Sequence, residues 1–391
     1  MTSTPTTPKP ERDPAHDPAA AEAVAPLFER FHAPGLDLRN RLTMAPMTRR
    51  LAPDDRVPSP EMAAYYERRA IGGDAGTALI ITEGTHTDPV HAPDSENVPG
   101  LWNEDQAEGW RAVIERVHAA GAKIACQLWH TGRHAMNPIG PSPVPAEKRG
   151  GGYKPTPRAM TEADMHRVAD EIAHAATLAK LTGFDAVEIH GAHGYLLDSF
   201  LSPEANKRTD RFGGAFKNRA RFPVMVIERV RQAVGSDYTV MLRFSQWRME
   251  DYKALAFPNP DTLAEWCMLV RNAGIDILHV STRDCTDIAF PDDPTHGGAH
   301  GRTLAGLTKQ FSGLTTVAVG RVGVSTSMNE GAIAEVTDPA PAAALIKDGE
   351  ADLVAVGRGL IANPDWGPKV KAGRWADLNP YSREMLETLD D

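Results

Sequence analysis

Cysteine is scarce in this sequence. The three thiols, Cys126, Cys267 and Cys285, lie far apart and form no Cys-x-x-Cys pair, which removes a disulfide framework and a cysteine-held iron–sulfur cluster from consideration. A basic excess is also missing. The chain carries 42 Lys and Arg against 52 Asp and Glu, a formal net charge of −10, with the basic residues dispersed; nucleic acid is therefore not an expected partner. No apolar run approaches the roughly 18 residues of a membrane span, and the N-terminal residues lack the apolar stretch of a signal peptide. A cytoplasmic protein acting on small molecules, away from membranes, is the expectation. No helical segment carries an unambiguous interface stripe, which leaves monomer and homo-oligomer open.

What is present is a regular alternation. Hydrophobic residues make up 41% of 391 positions, enough for the core of one large α/β barrel or of two domains. Residues 1–24, rich in Thr, Pro and Ala, are expected to be a flexible leader. Short apolar runs at 41–46, 77–82, 123–129, 185–189, 239–244, 276–281, 315–320 and 352–357 read as buried strands. Helical periodicity fills the gaps at 60–71, 103–120, 161–181, 218–234 and 262–273, with a short helix before residue 315. Thr161-x-x-Asp164 is a helix-opening cap, and Asp338-Pro339-Ala340-Pro341 looks like a surface insertion that interrupts the helix before the last strand. Eight strand–helix units without reversal predict a single-domain (β/α)8 TIM barrel over 25–378, followed by a tail at 379–391. A doubly wound open sheet is the runner-up. Residues 131–160, loaded with Pro and Gly after the third strand, are expected to form a lid or substrate wall.

Chemistry is expected at the C-terminal ends of the strands. His190 and His193 end the fourth strand, and two imidazoles three residues apart can present N–H donors to one oxygen. Tyr195, two residues further, can offer a proton beside them. Alone, a His-x-x-His pair is more often a satisfied structural pair or an incidental match. The polar, turn-rich loop of 202–214 strengthens the functional reading as a candidate site wall. At the ends of the last two strands, Gly320-Arg321 and Gly357-Arg358-Gly359 suit phosphate, because glycines allow close backbone approach and arginine adds a charged fork. Thr48, Gly84, Gln127 and Arg243 add a hydroxyl, a close-approach backbone, an amide and a cation, a set that matches the imide edge of a flavin.

Taken together, Ala45-Pro46-Met47-Thr48, Ile81-Thr82-Glu83-Gly84, Gln127-Leu128-Trp129-His130-Thr131-Gly132-Arg133, His190-Gly191-Ala192-His193-Gly194-Tyr195, Asn206-Lys207-Arg208-Thr209-Asp210 and Val356-Gly357-Arg358 resemble the old yellow enzyme family of FMN-dependent ene-reductases. The resemblance runs from about residue 27 to 373. It implies a TIM barrel holding FMN non-covalently, reduced by NAD(P)H and reoxidised by an activated alkene in ping-pong turnover. Pro46, Met47, Thr48, Gly84, Gln127, Arg243, Gly320, Arg321, Gly357 and Arg358 would hold the flavin. His190 and His193 would bind the carbonyl oxygen of an α,β-unsaturated substrate, Tyr195 would protonate the α-carbon, and Trp129 would wall the substrate cavity. Many members have Asn where His193 stands. Arg383 either reaches a neighbouring subunit, as C-terminal arginines do in some relatives, or belongs to a solvated tail. Two other classes stay open: a metal-dependent barrel hydrolase using His190 and His193 with His130 or His279, and a flavin-binding module without turnover.

Overall fold

Eight strands, buried along nearly all their length, pair in parallel to close a ring: β1 Leu42–Met44, β2 Leu79–Ile81, β3 Lys123–Trp129, β4 Ala186–His190, β5 Thr239–Ser245, β6 Ile277–Ser281, β7 Thr315–Val319 and β8 Leu353–Val356. Each strand pairs with the next in sequence, and β8 pairs with β1. The computed structural model describes residues 18–148, 151–295, 301–327 and 330–389. Helices α1 Pro60–Ala70, α2 Glu104–Ala119, α3 Glu162–Thr182, α4 Arg221–Val234, α5 Pro260–Ala273, α6 Leu304–Ser312, α7 Ala340–Lys347 and α8 Trp366–Lys371 follow the strands in turn. This is the (β/α)8 barrel, and the open-sheet alternative is excluded by the closed ring. No helix among the described residues is long and apolar enough to cross a membrane.

Side chains alternate in and out along each strand, so inward positions stack in layers. Leu79, Ala125, Ala186, Met241, Ile277, Val317 and Leu353 form an apolar plug at the N-terminal end of the barrel. An antiparallel hairpin, Phe31–Ala33 with Leu36–Leu38, packs against the same plug. Two residues further along four consecutive strands, Gln127, Glu188, Arg243 and His279 make a buried polar layer. Two further again, Trp129, His190, Ser245 and Ser281 reach the upper rim. The outward residues, among them Ile124, Leu128, Val187, Leu242, Phe244 and Val280, pack under the helices.

Local signals explain several helix starts. At α3 the Thr161 hydroxyl accepts the Asp164 N–H (3.1 Å), while the Asp164 carboxylate accepts the Thr161 N–H (2.8 Å). Where an interruption was expected, Pro339-Ala340-Pro341 instead opens α7. Proline in the first turn has no N–H to leave unbonded, and Asp338 accepts the Ala340 N–H at 2.8 Å. Of the expected leader, residues 1–17 lie outside the described residues; at its end Pro18–Val24 is a helix against α7, with Val24 fully buried. The tail is tied down as well. Tyr381–Ser382 pairs with Ile333–Ala334, and Arg49 Nη2 donates to the Met385 carbonyl at 2.6 Å.

Below the barrel, three aspartates just before β4, β6 and β8 repeat one device. Asp185, Asp276 and Asp352 accept the backbone N–H of Ile124 (2.9 Å), Val240 (2.8 Å) and Thr316 (3.0 Å) on the preceding strand. Each also holds a cation: Lys123 at 2.8 Å, Arg231 at 2.5 Å and Lys309 at 2.7 Å. At the other end, Glu83 follows β2 and accepts the Arg49 N–H at 3.0 Å, fixing the turn after β1. Burial pushes the Glu83 carboxyl up to about 7, against the lowering effect of the Arg49 and Arg50 N–H groups.

Two outcomes follow from these contacts. Asp185→Ala orphans the Ile124 N–H and should lower unfolding free energy by about 1–3 kcal/mol, read as an earlier urea midpoint with an unchanged slope. Because Glu83 binds its proton more tightly folded than unfolded, its contribution to stability should fall as pH rises from 4.5 to about 7. Glu83→Gln should flatten that decline in unfolding midpoints measured across the same pH range; an unaltered slope would show that Glu83 does not titrate there.

Candidate active site

The C-terminal ends of the strands open into a cleft of about 630 Å³. Pro46, Met47, Thr48, Gln127, Arg243, Gly320, Arg321, Gly357 and Arg358 all line it, as do Trp129, His190, His193 and Tyr195. Gly84 does not. A Cβ at Gly84 would stand 2.4 Å from Trp129 Cε3, so this glycine makes room for the tryptophan that walls the cleft. Residues 202–214 likewise lie outside. Arg208 donates to the carbonyls of Pro141 (3.0 Å) and Met160 (2.7 Å), so that loop anchors the excursion after β3. No described residue of 131–160 lines the cleft itself; His134 alone reaches it indirectly, its ring 5.4 Å from that of Tyr195.

The two histidines meet edge to face, centroids 5.2 Å apart and planes at 83°. His190 Nδ1 accepts the Ala192 N–H at 3.3 Å. A neutral ring in that arrangement carries its proton on Nε2, a donor. His193 is held more tightly. Its N–H donates to Ser245 Oγ (2.9 Å), its Nε2 lies 2.9 Å from Ser281 Oγ, and its ring stacks on Trp247 at 4.3 Å. Its φ of 65° is left-handed, a conformation that most side chains avoid and that marks constrained sites. Burial, reinforced by the charge of Arg243, holds both imidazoles well below their ordinary pKa. Both are therefore neutral N–H donors near pH 7.

Tyr195 stands edge-on to Trp129 (4.9 Å) and to His190 (5.0 Å), and its hydroxyl lies 3.6 Å from Met249 Sδ. Burial and the carboxylate of Asp94 push its pKa up, so the phenol keeps its proton. The turn beneath it is braced: Asp198 accepts the Gly194 N–H at 2.6 Å and pairs with the buried Arg248 at 3.2 Å. Behind the phenol, Glu250 joins His134 Nε2 (2.9 Å) to Arg133 (2.5 Å).

Arginine dominates the charge of the cleft. Arg50, Arg243, Arg283, Arg321, Arg358 and Arg383 line it, and no described Asp or Glu does, although the whole chain is acidic. An anionic ligand suits this bias. Arg321, also at left-handed φ (53°), pairs with Asp284 at 3.0 Å. Arg358 bonds Thr326 Oγ1 at 3.1 Å and the Ser327 carbonyl at 3.2 Å, and its guanidinium lies 5.6 Å above the Tyr381 ring. Gly357 opens toward Met47 with only ordinary contact at a Cβ position. At the opposite end Arg243 Nε is buried without a protein partner. Hydroxyl, amide and guanidinium at one end, with glycine and arginine at the other, match an imide ring joined to a phosphate. The metal-centre alternative finds no such support. His279 is paired with Glu188 at 2.6 Å, His130 lies 3.5 Å from Asp88, and no group of three or more His, Cys, Asp or Glu among the described residues could hold a metal.

Sequence reasoning missed Trp247, Met249, Arg50 and Arg283, which sit on loops after β5, β1 and β6 where no periodicity points to them. It also missed that the tail, through Tyr381, Arg383 and Leu386, lines the chain's own cleft. Arg383 is exposed there, in keeping with its expected place in a solvated tail.

Comparison with known proteins agrees with this geometry. Residues 26–377 match the model of the NADH:flavin oxidoreductase / NADH oxidase family. An NADH oxidase of Thermoanaerobacter brockii is 34% identical over 90% of this chain, which spans about half (52%) of that enzyme's length. A putative 12-oxophytodienoate reductase 4 of Oryza sativa is 33% identical, covering 96% of this chain and 93% of its own. Among solved structures, the old yellow enzyme homologue of Zymomonas mobilis superposes with a TM-score of 0.76 at 28% identity, covering 93% of this chain and 96% of its own. Morphinone reductase in complex with tetrahydroNAD gives 0.74 at 29%, covering 92% and 93%. With its barrel, its arginine-lined cleft and this family match over nearly the whole described chain, the protein belongs to the NADH:flavin oxidoreductase family of old yellow enzyme type.

Proposed function

We propose that this protein is an FMN-dependent ene-reductase that takes hydride from NAD(P)H and reduces the activated C=C bond of α,β-unsaturated carbonyl compounds. The observation that carries this reading is convergence: His190, His193 and Tyr195 line the same cleft as Thr48, Gln127, Arg243 and Arg358. When bound, FMN supplies the two-electron redox chemistry. Thr48, Gln127 and Arg243 would hold its imide edge, and Gly320, Arg321, Gly357 and Arg358 its phosphate, with Pro46 and Met47 alongside.

His190 and His193 donate to the carbonyl oxygen of the substrate. Negative charge grows on that oxygen as hydride reaches the β-carbon, so neutral donors already fixed by Ala192, Ser245, Ser281 and Trp247 stabilise the transition state more than the ground state. Tyr195 then gives its hydroxyl proton to the α-carbon. Its raised pKa keeps that proton in place until the carbon becomes basic. Trp129 and Trp247 wall the site and exclude water.

An absorption spectrum of the purified protein, followed anaerobically by NADPH and then 2-cyclohexenone, tests the whole reading. The expected sequence is a yellow protein that bleaches and then recovers; a protein that takes up no FMN overturns it. Tyr195→Phe should slow reoxidation by the enone roughly 10²–10⁴-fold while leaving flavin reduction by NADPH near the parental rate. Equal reoxidation rates would remove Tyr195 from the mechanism. His190→Ala with His193→Ala should weaken binding of a para-substituted phenol, an enolate mimic, by at least about tenfold in a spectral titration, and unchanged affinity would dismiss the clamp.

A further inference from the structure

Directly beneath the cleft floor lies a pair of groups that no step of the proposed reaction uses. Glu188 and His279 are fully buried and do not line the cleft, whereas Gln127 and Arg243, their neighbours in the same barrel layer, do. Strand register sets them side by side: Gln127 is opposite Glu188, and Arg243 is opposite His279. Glu188 Oε1 accepts Gln127 Nε2 at 2.8 Å, and Glu188 Oε2 lies 2.6 Å from His279 Nδ1. Only the NH₂ of an amide can face a carboxylate oxygen, so the Gln127 carbonyl oxygen is turned away from Glu188. Burial keeps His279 neutral; it therefore donates from Nδ1, and its Nε2 is left without a partner. A buried carboxylate held by two donors is fixed in place, and it stands in the same enclosed layer as the Arg243 guanidinium.

We infer that Glu188 is a positioning residue for the cofactor: it locks the Gln127 amide in one of its two flips and supplies the buried counter-charge that limits how strongly Arg243 favours the reduced flavin. This rests on the flavin reading above. Two effects follow, one geometric and one electrostatic, and they separate by mutation. Free rotation of Gln127 would present N–H where the cofactor requires an acceptor, and loss of the carboxylate would leave the guanidinium uncompensated in a low-dielectric site.

The test uses the FMN-loaded full-length protein and two readouts apart from turnover: FMN dissociation constant and flavin midpoint potential, measured by dye equilibration. Glu188→Gln keeps the side chain's size and removes its charge. It should raise the reduced-to-oxidised ratio at a fixed poise about tenfold, which for a two-electron couple is about 30 mV. It should also weaken FMN binding several-fold, an effect that disappears in a Gln127→Ala background. Glu188→Asp retains the charge but withdraws the oxygen from Gln127; its potential should stay near the parent's while FMN binding weakens. This second variant carries the test if Glu188→Gln does not fold. A folded, flavin-loaded variant with parental potential and the same affinity loss in both Gln127 backgrounds overturns the inference and leaves the ene-reductase reading intact. A parent that takes up no FMN overturns that reading, and this inference with it.

Discussion

Closure of the ring is the constraint from which the rest follows. Once β8 pairs with β1, every strand has a single inside, and alternate residues must share it. On β4 the inward series is Ala186, Glu188, His190: apolar plug, buried carboxylate, donor at the rim. On β5 it is Met241, Arg243, Ser245, and on β6 Ile277, His279, Ser281. Chemistry is thus graded along the barrel axis in steps of two residues. A shift of one residue in any strand's register would send its rim residue into the helix layer and an aliphatic side chain into the cleft.

The same burial sets the protonation of the proposed reacting groups in useful directions. It drives His190 and His193 to the neutral state, in which they can donate without titrating near neutrality, and it keeps the Tyr195 phenol protonated. Both effects come chiefly from excluding water, with the charges of Arg243 and Asp94 adding to them. Among the described residues lining the cleft, positive charge is confined to arginines, which stay charged in a buried setting where lysine or histidine would lose its proton.

The barrel was legible because its strands are short apolar runs separated by long helical segments, and each strand-end motif lies where the topology needs it. Legibility failed where the structure depends on contacts remote in sequence. The Phe31–Leu38 hairpin has little periodicity of its own and gains its place from the plug it covers. Pro339 and Pro341 signal a break when read singly and a helix start once Asp338 is seen to cap it. Gly84 belongs to a family motif, yet what it accommodates is the indole of Trp129. The loops bearing Arg50, Trp247, Met249 and Arg283 carry no spacing that would place them together; only the ends of the strands do that. The tail was invisible for the same reason, since Arg49 ties it across more than three hundred residues of chain.

The left-handed backbone at His193 also narrows what evolution can place there. A residue at this position must tolerate φ of 65° and, in the proposed role, offer a donor. Among side chains with a Cβ, Asn, Asp and His are the ones most at ease in that region, and of these only His and Asn can present an N–H to a carbonyl oxygen. A choice between His and Asn at this position would therefore be set by main-chain geometry as much as by chemistry. If His193 holds the substrate carbonyl as proposed, changing substrate preference at this residue is confined to that pair, and wider variation has to come from the loops.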